Sequence, residues 1–350
     1  MQTSRRRLAT FVHISDLHFG ELDAQDDAQV ESAVPWWWRL LPLCKGYLGH
    51  HGVALRQLDD LIGLLHEEEQ AVVLVTGDLS ANGGERQVNL SMNYLRSTIA
   101  LTTNVRTGLN DVEILSRTIP GNHDHWPGFS VLSPVNPLPM LGPSTYAFSN
   151  LFWERPKAPY PYPLVSGHRV TFLGIDTDAD VQGISFERLF AQGSFESQLK
   201  DLRSQLGGID RLAGEVRVLL LHHSLIEASC IDDTSRKELA ETLQDCRISV
   251  ILTGHTHDPI VATHQLSSGW SVFEARCGTS TQRDFYPPEW QKVPLPDMPE
   301  LEANSVLVHR IYQVARNTVQ WRTTPYVRSD QGFTVADPSA PGHGQMTITA

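Results

Sequence analysis

Short apolar runs that end in polar residues recur along this chain. Five of them are rich in β-branched and aliphatic residues, which is typical of buried strands. These runs are residues 10–14, 71–75, 113–115 with 118–119, 216–221 and 248–252. Sites in open α/β sheets gather beyond the carboxyl ends of the strands. We therefore expect the polar residues that follow the five runs to meet at one edge of the fold.

Helical periodicity separates several of these runs. Residues 53–69, 195–206 and 235–243 each repeat leucine or isoleucine at the spacing of a helix with one apolar face. Alternation of strands and helices predicts an α/β sheet covered by helices. Residues 305–326 differ, because apolar positions alternate there on both sides of a turn at Arg316-Asn317. This pattern predicts a terminal β-hairpin.

Three segments interrupt the alternation. Residues 34–52 contain a run of three tryptophans, and residues 126–163 and 281–299 are rich in proline. Long connections in compact domains are often lids or binding loops, so we interpret these segments as cap-like insertions. The predicted organisation is a tail, one domain with these insertions and a disordered C-terminal tail, over residues 1–9, 10–326 and 327–350.

Composition and charge narrow the class of protein. The chain has 350 residues, 41% of them hydrophobic and 19% charged, which suits a globular protein with a large core. The formal net charge of −12 disfavours nucleic-acid binding through general charge attraction, although a local basic pocket stays open. We interpret the short basic run Arg5–Arg7 as part of a solvated tail. No apolar stretch is long enough for a membrane-spanning helix.

The cysteines point to the cytoplasm. There are four, Cys44, Cys230, Cys246 and Cys277, and none has C-x-x-C spacing. A disulfide framework or a thiolate zinc site is therefore not expected, and a reducing compartment fits best.

The polar residues at the strand ends are the types that bind metals through nitrogen and oxygen. They are Asp16, His18, Asp78, Asn122, His222, His255 and His257. Taken singly, an Asp or Asn here would most often cap a turn and a His would most often be a core or surface residue. Their recurrence at five strand ends favours a metal cluster. Such donors suit Mn, Fe, Zn, Co or Mg.

Spacing adds two further expectations. Side chains alternate along an extended chain, so Asp16 and His18 should point to the same side, and so should His255 and His257. The two oxygens of the Asp78 carboxylate could bridge two ions, and an ion pair of this kind serves in-line attack on phosphorus.

Five motifs, in this order, resemble the calcineurin-like metallophosphoesterase superfamily. They are Asp16-Leu17-His18, Gly77-Asp78, Gly121-Asn122-His123-Asp124, His222 and Gly254-His255-Thr256-His257. The resemblance runs from about residue 11 to residue 312. It implies an α/β fold, specifically a four-layer α/β/β/α sandwich, and a dinuclear metal-dependent phosphoric ester hydrolase.

The resemblance also implies a role for each residue. Asp16, His18 and His257 would bind one divalent metal ion; Asn122, His222 and His255 would bind the other; and Asp78 would bridge both. A hydroxide between the ions would be the nucleophile. His123 would be the catalytic acid facing the substrate, and Asp124 would hold the His123 ring. Glycines 77, 121 and 254 would bring the backbone close to the ions. His223 would lie behind the ligands, and Ser224 stands where many family members have proline.

Three interpretations of function follow. A phosphodiesterase acting on a small nucleotide-like substrate is favoured, partly because Gly193 to Leu206, with Gln198-Leu199 and Leu202, loosely resembles an element of the cyclic-nucleotide phosphodiesterase branch. A nuclease of the same superfamily is the alternative. A catalytically silent scaffold is the alternative from another class, and it is disfavoured because all seven ligands and His123 are present.

The tryptophan run suggests a surface. Trp36–Trp38 could pack on their own domain, cover the cleft, form a homodimer contact or meet membrane lipid, since aromatic residues are enriched at such surfaces. We expect the insertions at 34–52 and 126–163 to border the metal cleft and to select the phosphate ester by size. His50 and His51 are expected at the surface.

Overall fold

The computed structural model describes most of the chain, namely residues 5–20, 49–81, 83–101, 104–125, 158–181, 191–206, 209–282 and 304–350. The strands are β1 (Arg6–Ile14), β2 (Val72–Thr76), β3 (Ile99–Ala100), β4 (Arg106–Thr107), β5 (Thr118–Ile119), β6 (Tyr160–Pro163), β7 (Arg169–Gly174), β8 (Glu215–Leu220), β9 (Ile248–Thr253), β10 (Ile260–Gln265), β11 (Ser271–Arg276), β12 (Ser305–Ala315), β13 (Thr318–Ser329), β14 (Gly332–Val335) and β15 (Gly344–Thr349). The α-helices are α1 (Gly52–Glu69), α2 (Glu85–Arg96), α3 (Asn122–His125), α4 (Glu196–Leu206) and α5 (Asp233–Asp245).

Two mixed sheets form the centre of the fold. The first has the order β14-β13-β12-β1-β2-β5, and β15 also pairs with β13. The second has the order β10-β11-β9-β8-β7-β6. Strands β1, β2 and β5 run parallel to one another, as do β7, β8, β9 and β11. Each sheet therefore presents several carboxyl strand ends at one edge, where sites form in such folds.

The sheets pack face to face with helices outside. The ring of Phe11 on β1 contacts that of Phe172 on β7 with centroids 5.2 Å apart, which joins the two inner faces. Buried leucines of α1, such as Leu58, extend this core on the first sheet. A second core joins Leu199 of α4 and Leu239 of α5 to the second sheet. The predicted four-layer α/β/β/α arrangement is confirmed.

The N-terminus of α1 corrects the interpretation of two histidines. His51 is the N-cap, and its Nδ1 accepts hydrogen bonds from the amides of Val53 and Ala54. His50 is only 2% exposed, and its ring lies 4.5 Å from that of Phe19. The prediction that His50 and His51 are surface residues is therefore wrong for His50, which packs beneath the start of the helix.

The C-terminal residues also differ from the prediction. The hairpin expected at 305–326 is confirmed as β12 and β13. Residues 327–350 were expected to be disordered, but β14 and β15 both pair with β13 there. Their polar composition arises because one face of each strand is exposed, while Phe333 and Ile348 are buried in the main core.

Two smaller differences concern strand bounds. β1 begins at Arg6, inside the segment expected to be a tail, because residues 6–13 pair with β12. Residues 114–117 form a 3-10 helix, and only Thr118–Ile119 is a strand, so the predicted strand at 113–115 is wrong. The amide of Ile114 donates to the carbonyl of Asp111, which starts a turn where a strand was expected.

The predicted insertions lie largely outside the described residues, including the whole of Trp36–Trp38. Among the parts that are described, Tyr160–Pro163, at the end of the second insertion, is an edge strand paired with β7. Among the helices of the described residues, none is both long and apolar enough to cross a membrane.

Candidate metal centre

The seven predicted metal ligands meet where the carboxyl ends of the two sheets face each other. Asp16 and His18 follow β1, Asp78 follows β2, and Asn122 follows β5 at the start of α3. His222 follows β8, and the pair His255 and His257 follows β9. Backbone bonds hold each edge: the amide of Asp16 donates to the carbonyl of Gly77 in the first sheet, and the amide of Gly254 donates to that of His222 in the second.

One half of the cluster contains Asp16, His18 and His257. Oδ1 of Asp16 lies 3.3 Å from Nε2 of His257 and 3.7 Å from Nε2 of His18. Oδ2 of Asp16 accepts a hydrogen bond of 3.1 Å from the amide of His255. One carboxylate oxygen is thus fixed by the backbone, and the other faces two imidazoles.

The other half contains Asn122, His222 and His255. Oδ1 of Asn122 lies 3.1 Å from Nε2 of His222 and 3.1 Å from Nδ1 of His255. Two atoms that share an ion at about 2.1 Å lie about 3.0–3.4 Å apart, so these separations suit a common cation.

Asp78 connects the two halves through a single oxygen. Its Oδ2 is 3.8 Å from Nε2 of His18 and 3.3 Å from Nε2 of His222. Its Oδ1 accepts a hydrogen bond of 2.9 Å from the amide of His123. Whereas the sequence suggested bridging through both oxygens, the geometry leaves Oδ2 between the two groups of ligands.

Buried polar atoms without hydrogen-bond partners indicate whether metal ions fit this site. Asp16 and His18 are fully buried, and Oδ1 of Asp16 and both ring nitrogens of His18 have no hydrogen-bond partner. Buried polar atoms without partners cost free energy, whereas a cation would satisfy them. The donor set is nitrogen and oxygen without thiolate, and three groups of its atoms each lie within 4.8 Å of one another. The residues fit two divalent ions.

The backbone at the ligands is held in an uncommon conformation. Nine non-glycine residues in the described part of the chain have positive φ. Five of them are Asp16, His18, Asp78, His255 and His257, with φ between 49° and 80°. Left-handed backbone costs free energy and persists where the surroundings impose it, often at functional sites. The side chains of Asp16 and His18, and those of His255 and His257, therefore converge because the backbone turns. The sequence had predicted an extended backbone with alternating side chains.

Two glycines allow the close approach that the sequence predicted. A Cβ on Gly121 would lie 2.3 Å from Oδ1 of Asp78, and one on Gly254 would lie 2.7 Å from Oδ2 of Asp16. These distances are too short for a methyl group, so a side chain at either position would displace a ligand.

Burial and charge set the protonation of the imidazoles. Burial lowers the pKa of His18 to about 4 and that of His255 to about 3. Burial would also lower the pKa of His222, but the Asp78 carboxylate, together with Asp16 and the carbonyl of Thr76, outweighs this effect and raises the pKa to about 10. Burial would raise the pKa of Asp78, yet the neighbouring imidazoles hold it well below its usual value. Neutral imidazoles and ionised carboxylates are the forms that bind metals, so His18, His255 and Asp78 are in that form, whereas His222 would release its Nε2 proton when an ion binds.

His222 is oriented by a backbone group. Its Nδ1 donates a hydrogen bond of 2.7 Å to the carbonyl of Thr76, so Nε2 faces Asn122 and Asp78. An N–H fixed on one ring nitrogen sets the tautomer and frees the other nitrogen for a metal. The sequence did not predict that Thr76 orients His222, because a residue of any type can supply a backbone carbonyl.

His123 lies against the first half of the cluster. A ring nitrogen lies within 4.8 Å of ligand atoms of His18 and Asp78, and the His18 and His123 rings meet edge to face. Nδ1 of His123 donates to the carbonyl of Ala81 at 2.8 Å. The carbonyl of Ala81 therefore fixes the orientation of the His123 ring through Nδ1.

Asp124 has a different role from the predicted one. Its carboxylate accepts hydrogen bonds from the amides of Leu79, Ser80 and Gly121 and from the Ser80 hydroxyl. It ties the loop after β2 to the loop after β5, whereas the carbonyl of Ala81 holds the His123 ring. The expectation that Asp124 positions His123 directly is corrected.

His223 lies behind the ligands, as its place in the strand suggested. Nε2 donates to the carbonyl of Ala191 at 3.1 Å, and Nδ1 is 2.7 Å from the hydroxyl of Thr177. Both nitrogens are thus engaged within the protein. Ser224 stands where many family members have proline. Its hydroxyl accepts a hydrogen bond from the amide of Ile226, and this bond closes the turn that proline would restrict.

A buried polar group behind His223 was not predicted. Asp176 and Asp178 follow β7, and Oδ1 of Asp176 lies 2.8 Å from Nε2 of His125. Oδ2 of Asp178 is buried without a hydrogen-bond partner, 4.0 Å from Nδ1 of His223. The signal was present, because the apolar run 170–175 ends in these residues like the five runs that were recognised.

The segment from Gly193 to Leu206 packs against His223, Asp176 and the second core. A Cβ on Gly193 would lie 2.7 Å from Nδ1 of His223, and Oε1 of Gln198 accepts from the amide of Asp176. Leu199 and Leu202 are buried in the second core. These contacts explain the pattern by packing and do not mark a branch of the superfamily.

Comparison with known proteins identifies the family. The family model for calcineurin-like phosphoesterases matches residues 9–259, which is most of the chain. The chain belongs to this family. It is accordingly a metal-dependent phosphoric ester hydrolase with a dinuclear centre. No curated protein sequence matches it.

Solved structures share the fold at low sequence identity. A dimetal phosphatase from Danio rerio is 15% identical with a TM-score of 0.50, and the match covers 98% of this chain and 99% of that one. GAP50, described as the anchor in the inner membrane complex of Plasmodium, is 10% identical with a TM-score of 0.50, over 95% and 91% of the two chains. The purple acid phosphatase PPD1 of yellow lupin is 13% identical with a TM-score of 0.48, over 98% and 54%.

Proposed function

We propose that this protein is a phosphodiesterase that hydrolyses a small nucleotide-like substrate. The observation that supports it most strongly is the position of Asp78 Oδ2 between two sets of imidazole ligands. Asp16, His18 and His257 would hold one ion and Asn122, His222 and His255 the other, with Asp78 bridging. Two such ions supply an activated water and neutralise charge on the phosphoryl oxygens.

The residues of the chain supply the remaining steps. His123 would place Nε2 toward the leaving oxygen and give it a proton, while its Nδ1–H stays on the carbonyl of Ala81. The amide of His123 holds Oδ1 of Asp78, so one short segment positions both the bridging carboxylate and the acid. The bond between His123 and Asp78 therefore fixes the position of the proposed proton donor relative to the metal centre.

Charge favours a diester over a monoester. Near neutral pH a diester carries one negative charge and a monoester nearly two. The chain has a net charge of −12. Among the described residues, the buried Arg276 on β11 is already paired with Glu227 and Asp258. A substrate with a single negative charge needs less help from arginine or lysine than a dianion does.

Model substrates test the proposal. The protein is loaded with Mn²⁺, and kcat/KM is measured for bis-p-nitrophenyl phosphate and for p-nitrophenyl phosphate. We expect at least a ten-fold preference for the diester. A preference for the monoester would contradict the diester assignment, and inactivity of a folded, Mn-loaded sample on both would contradict the enzymatic one.

The natural substrate requires a second screen. Cyclic nucleotides, dinucleotides, phospholipid-type diesters and a single-stranded oligonucleotide are compared at equal concentration. We expect turnover of small nucleotides and little of the oligonucleotide. Efficient, salt-sensitive cleavage of the oligonucleotide would favour the nuclease instead, since salt weakens phosphate contacts.

Three finer expectations remain part of the proposal. Cys230, Cys246 and Cys277 are buried free thiols, which favours a cytoplasmic location. The segments 34–48 and 126–157 would border the cleft and select substrate size, and Trp36–Trp38 could serve a homodimer. Removing only residues 34–48 would spare the buried His50 and the helix cap His51, so an unchanged substrate preference in that variant would count against the first idea.

A further inference from the structure

A chain of hydrogen bonds leads from the metal centre into the interior of the first sheet. The carbonyl of Thr76 accepts from Nδ1 of His222, and the hydroxyl of Thr76 lies 2.8 Å from Nε2 of His13. Nδ1 of His13 lies 3.3 Å from Nε2 of His309. The indole N–H of Trp321 donates to Nδ1 of His309 at 3.2 Å. All five residues are buried.

The chemistry of the donors fixes the direction of this chain. An indole N–H can only donate, so Nδ1 of His309 must accept. The proton of a neutral His309 is then on Nε2 and is donated to Nδ1 of His13. The proton of His13 is in turn on Nε2 and is donated to the hydroxyl of Thr76. One group, the indole of Trp321, therefore sets the tautomers of both histidines.

Both histidines are neutral in this environment. Burial lowers the pKa of His13 to about 3 and that of His309 well below its usual value. The hydroxyl of Thr323 also lies 2.9 Å from Nδ1 of His309, but a hydroxyl can donate or accept, so it does not fix the tautomer as the indole does. A fully buried polar network is costly unless each member is satisfied, and here the bonds are complete along its length.

Thr76 is the point where the chain reaches the site. It is the last residue of β2 and precedes Gly77, which has φ of 97°. Its carbonyl accepts from two side chains, His222 and, at 3.2 Å, the hydroxyl of Ser15. The carbonyl that orients His222 therefore sits at a turn, and the bond from His13 holds the side chain of the same residue.

We propose that His13 and His309, with Trp321, are positioning residues for His222. They hold Thr76 so that its carbonyl takes the Nδ1 proton of His222 and Nε2 points to the metal. The proposal rests on the proposed function in that His222 binds an ion. It predicts an asymmetric effect, because the chain supports the half of the cluster formed by Asn122, His222 and His255.

Tautomers provide the first test, which needs neither metal nor activity. Long-range proton–nitrogen NMR spectra of the ¹⁵N-labelled protein distinguish Nδ1–H from Nε2–H histidines, and His13→Gln and His309→Gln assign the signals. We expect both histidines to be Nε2–H tautomers. An Nδ1–H signal for either would overturn the proposal.

Matched tryptophan variants provide the second test. Trp321→Phe keeps an aromatic ring but removes the N–H, and Trp270→Phe is the control because the Trp270 N–H donates to the carbonyl of Ile248 on β9 instead. Both metal-binding steps are measured by calorimetric Mn²⁺ titration. Supporting groups behind metal ligands typically change affinity by about 10- to 100-fold. We expect a loss of this size in one step for Trp321→Phe and none for Trp270→Phe.

Other results distinguish failure of the positioning proposal, failure of a variant to fold and failure of the proposed function. Equal metal binding by wild type, Trp321→Phe and Trp270→Phe would overturn the proposal, as would an equal loss in both steps of Trp321→Phe. If Trp321→Phe does not fold, His13→Leu replaces it with the same expected loss in one step, since leucine fills the buried position but donates nothing to Thr76. Should the wild type bind no metal, the proposed function fails, while the tautomer spectra still decide whether the chain of hydrogen bonds exists.

Discussion

The backbone amide of His123 donates to Oδ1 of Asp78 over 2.9 Å. The carboxylate proposed to bridge the ions and the residue proposed as the catalytic acid are therefore positioned by the same bond. This arrangement leaves Oδ2 to face the proposed ions, and substitutions at the two residues test the two proposed roles separately.

Asp78→Asn should abolish bridging while preserving the fold. The carbonyl of asparagine can still accept from His123, but its amide nitrogen cannot replace Oδ2 as a ligand. We expect fewer than two bound ions per chain by elemental analysis and a fall in kcat/KM of at least about 10³-fold. Asp60→Asn, at an exposed position of α1, is the matched control and should keep both ions. Two bound ions in Asp78→Asn would refute the bridging role.

His123→Gln should impair the protonation of the leaving group. The loss in kcat should be about 10²–10⁴-fold for diesters with alkoxide-type leaving groups and much smaller for p-nitrophenyl esters, whose leaving group needs little protonation. Metal content should be unchanged. A uniform loss across leaving groups would instead indicate that His123 acts by binding the substrate.

Gly121→Ala should disturb the metal site without unfolding the protein. The added methyl would lie 2.3 Å from Oδ1 of Asp78, so the carboxylate must move. We expect weaker metal binding and lower activity, with the secondary structure retained by circular dichroism. Gly63→Ala is the control: no atom lies within 4 Å of the new methyl, and the exposed interior of α1 should gain about 0.5–1 kcal/mol. Normal metal affinity in Gly121→Ala would contradict the close approach.

Asp178→Asn should change how stability depends on pH. Burial raises the pKa of Asp178 to about 7, from an unfolded value near 3.8. The folded state therefore binds the proton more tightly, so this contribution to stability is complete below pH 3.8 and is lost as the pH rises through 7.

The measurement is urea unfolding at pH 5 and pH 8. It is made after chelation, because nearby cations would lower the pKa of Asp178. We expect the variant to gain stability relative to the wild type on going from pH 5 to pH 8, by up to a few kcal/mol. An equal difference at both pH values would show that Asp178 does not titrate between them.

The sequence was most informative where residue type and strand position agree. The cluster of candidate ligands at the ends of β1, β2, β5, β8 and β9 could be predicted because polar residues follow apolar runs. What could not be predicted depends on backbone geometry. The left-handed turns at Asp16 and His18 and the carbonyl of Thr76 follow from tertiary contacts that no local pattern encodes.

The C-terminal strands show the same limit. Residues 344–349 appear polar because β15 exposes one face, and only its pairing with β13 makes it a strand. Asp124 illustrates a further limit: the motif placed it beside His123 in sequence, but its hydrogen bonds go to the loop after β2.

The pairing of β1 with β12 has a consequence for biosynthesis. His13, three residues before the ligand Asp16, is opposite Leu307 in this antiparallel pair, about 300 residues later in the chain. A ribosome thus releases the strand that carries Asp16 and His18 long before its antiparallel partner. Until β12 emerges, β1 can pair with β2 alone, which leaves an open sheet edge that invites association with other chains. The nascent protein therefore passes through a stage in which this edge would be a target for chaperones.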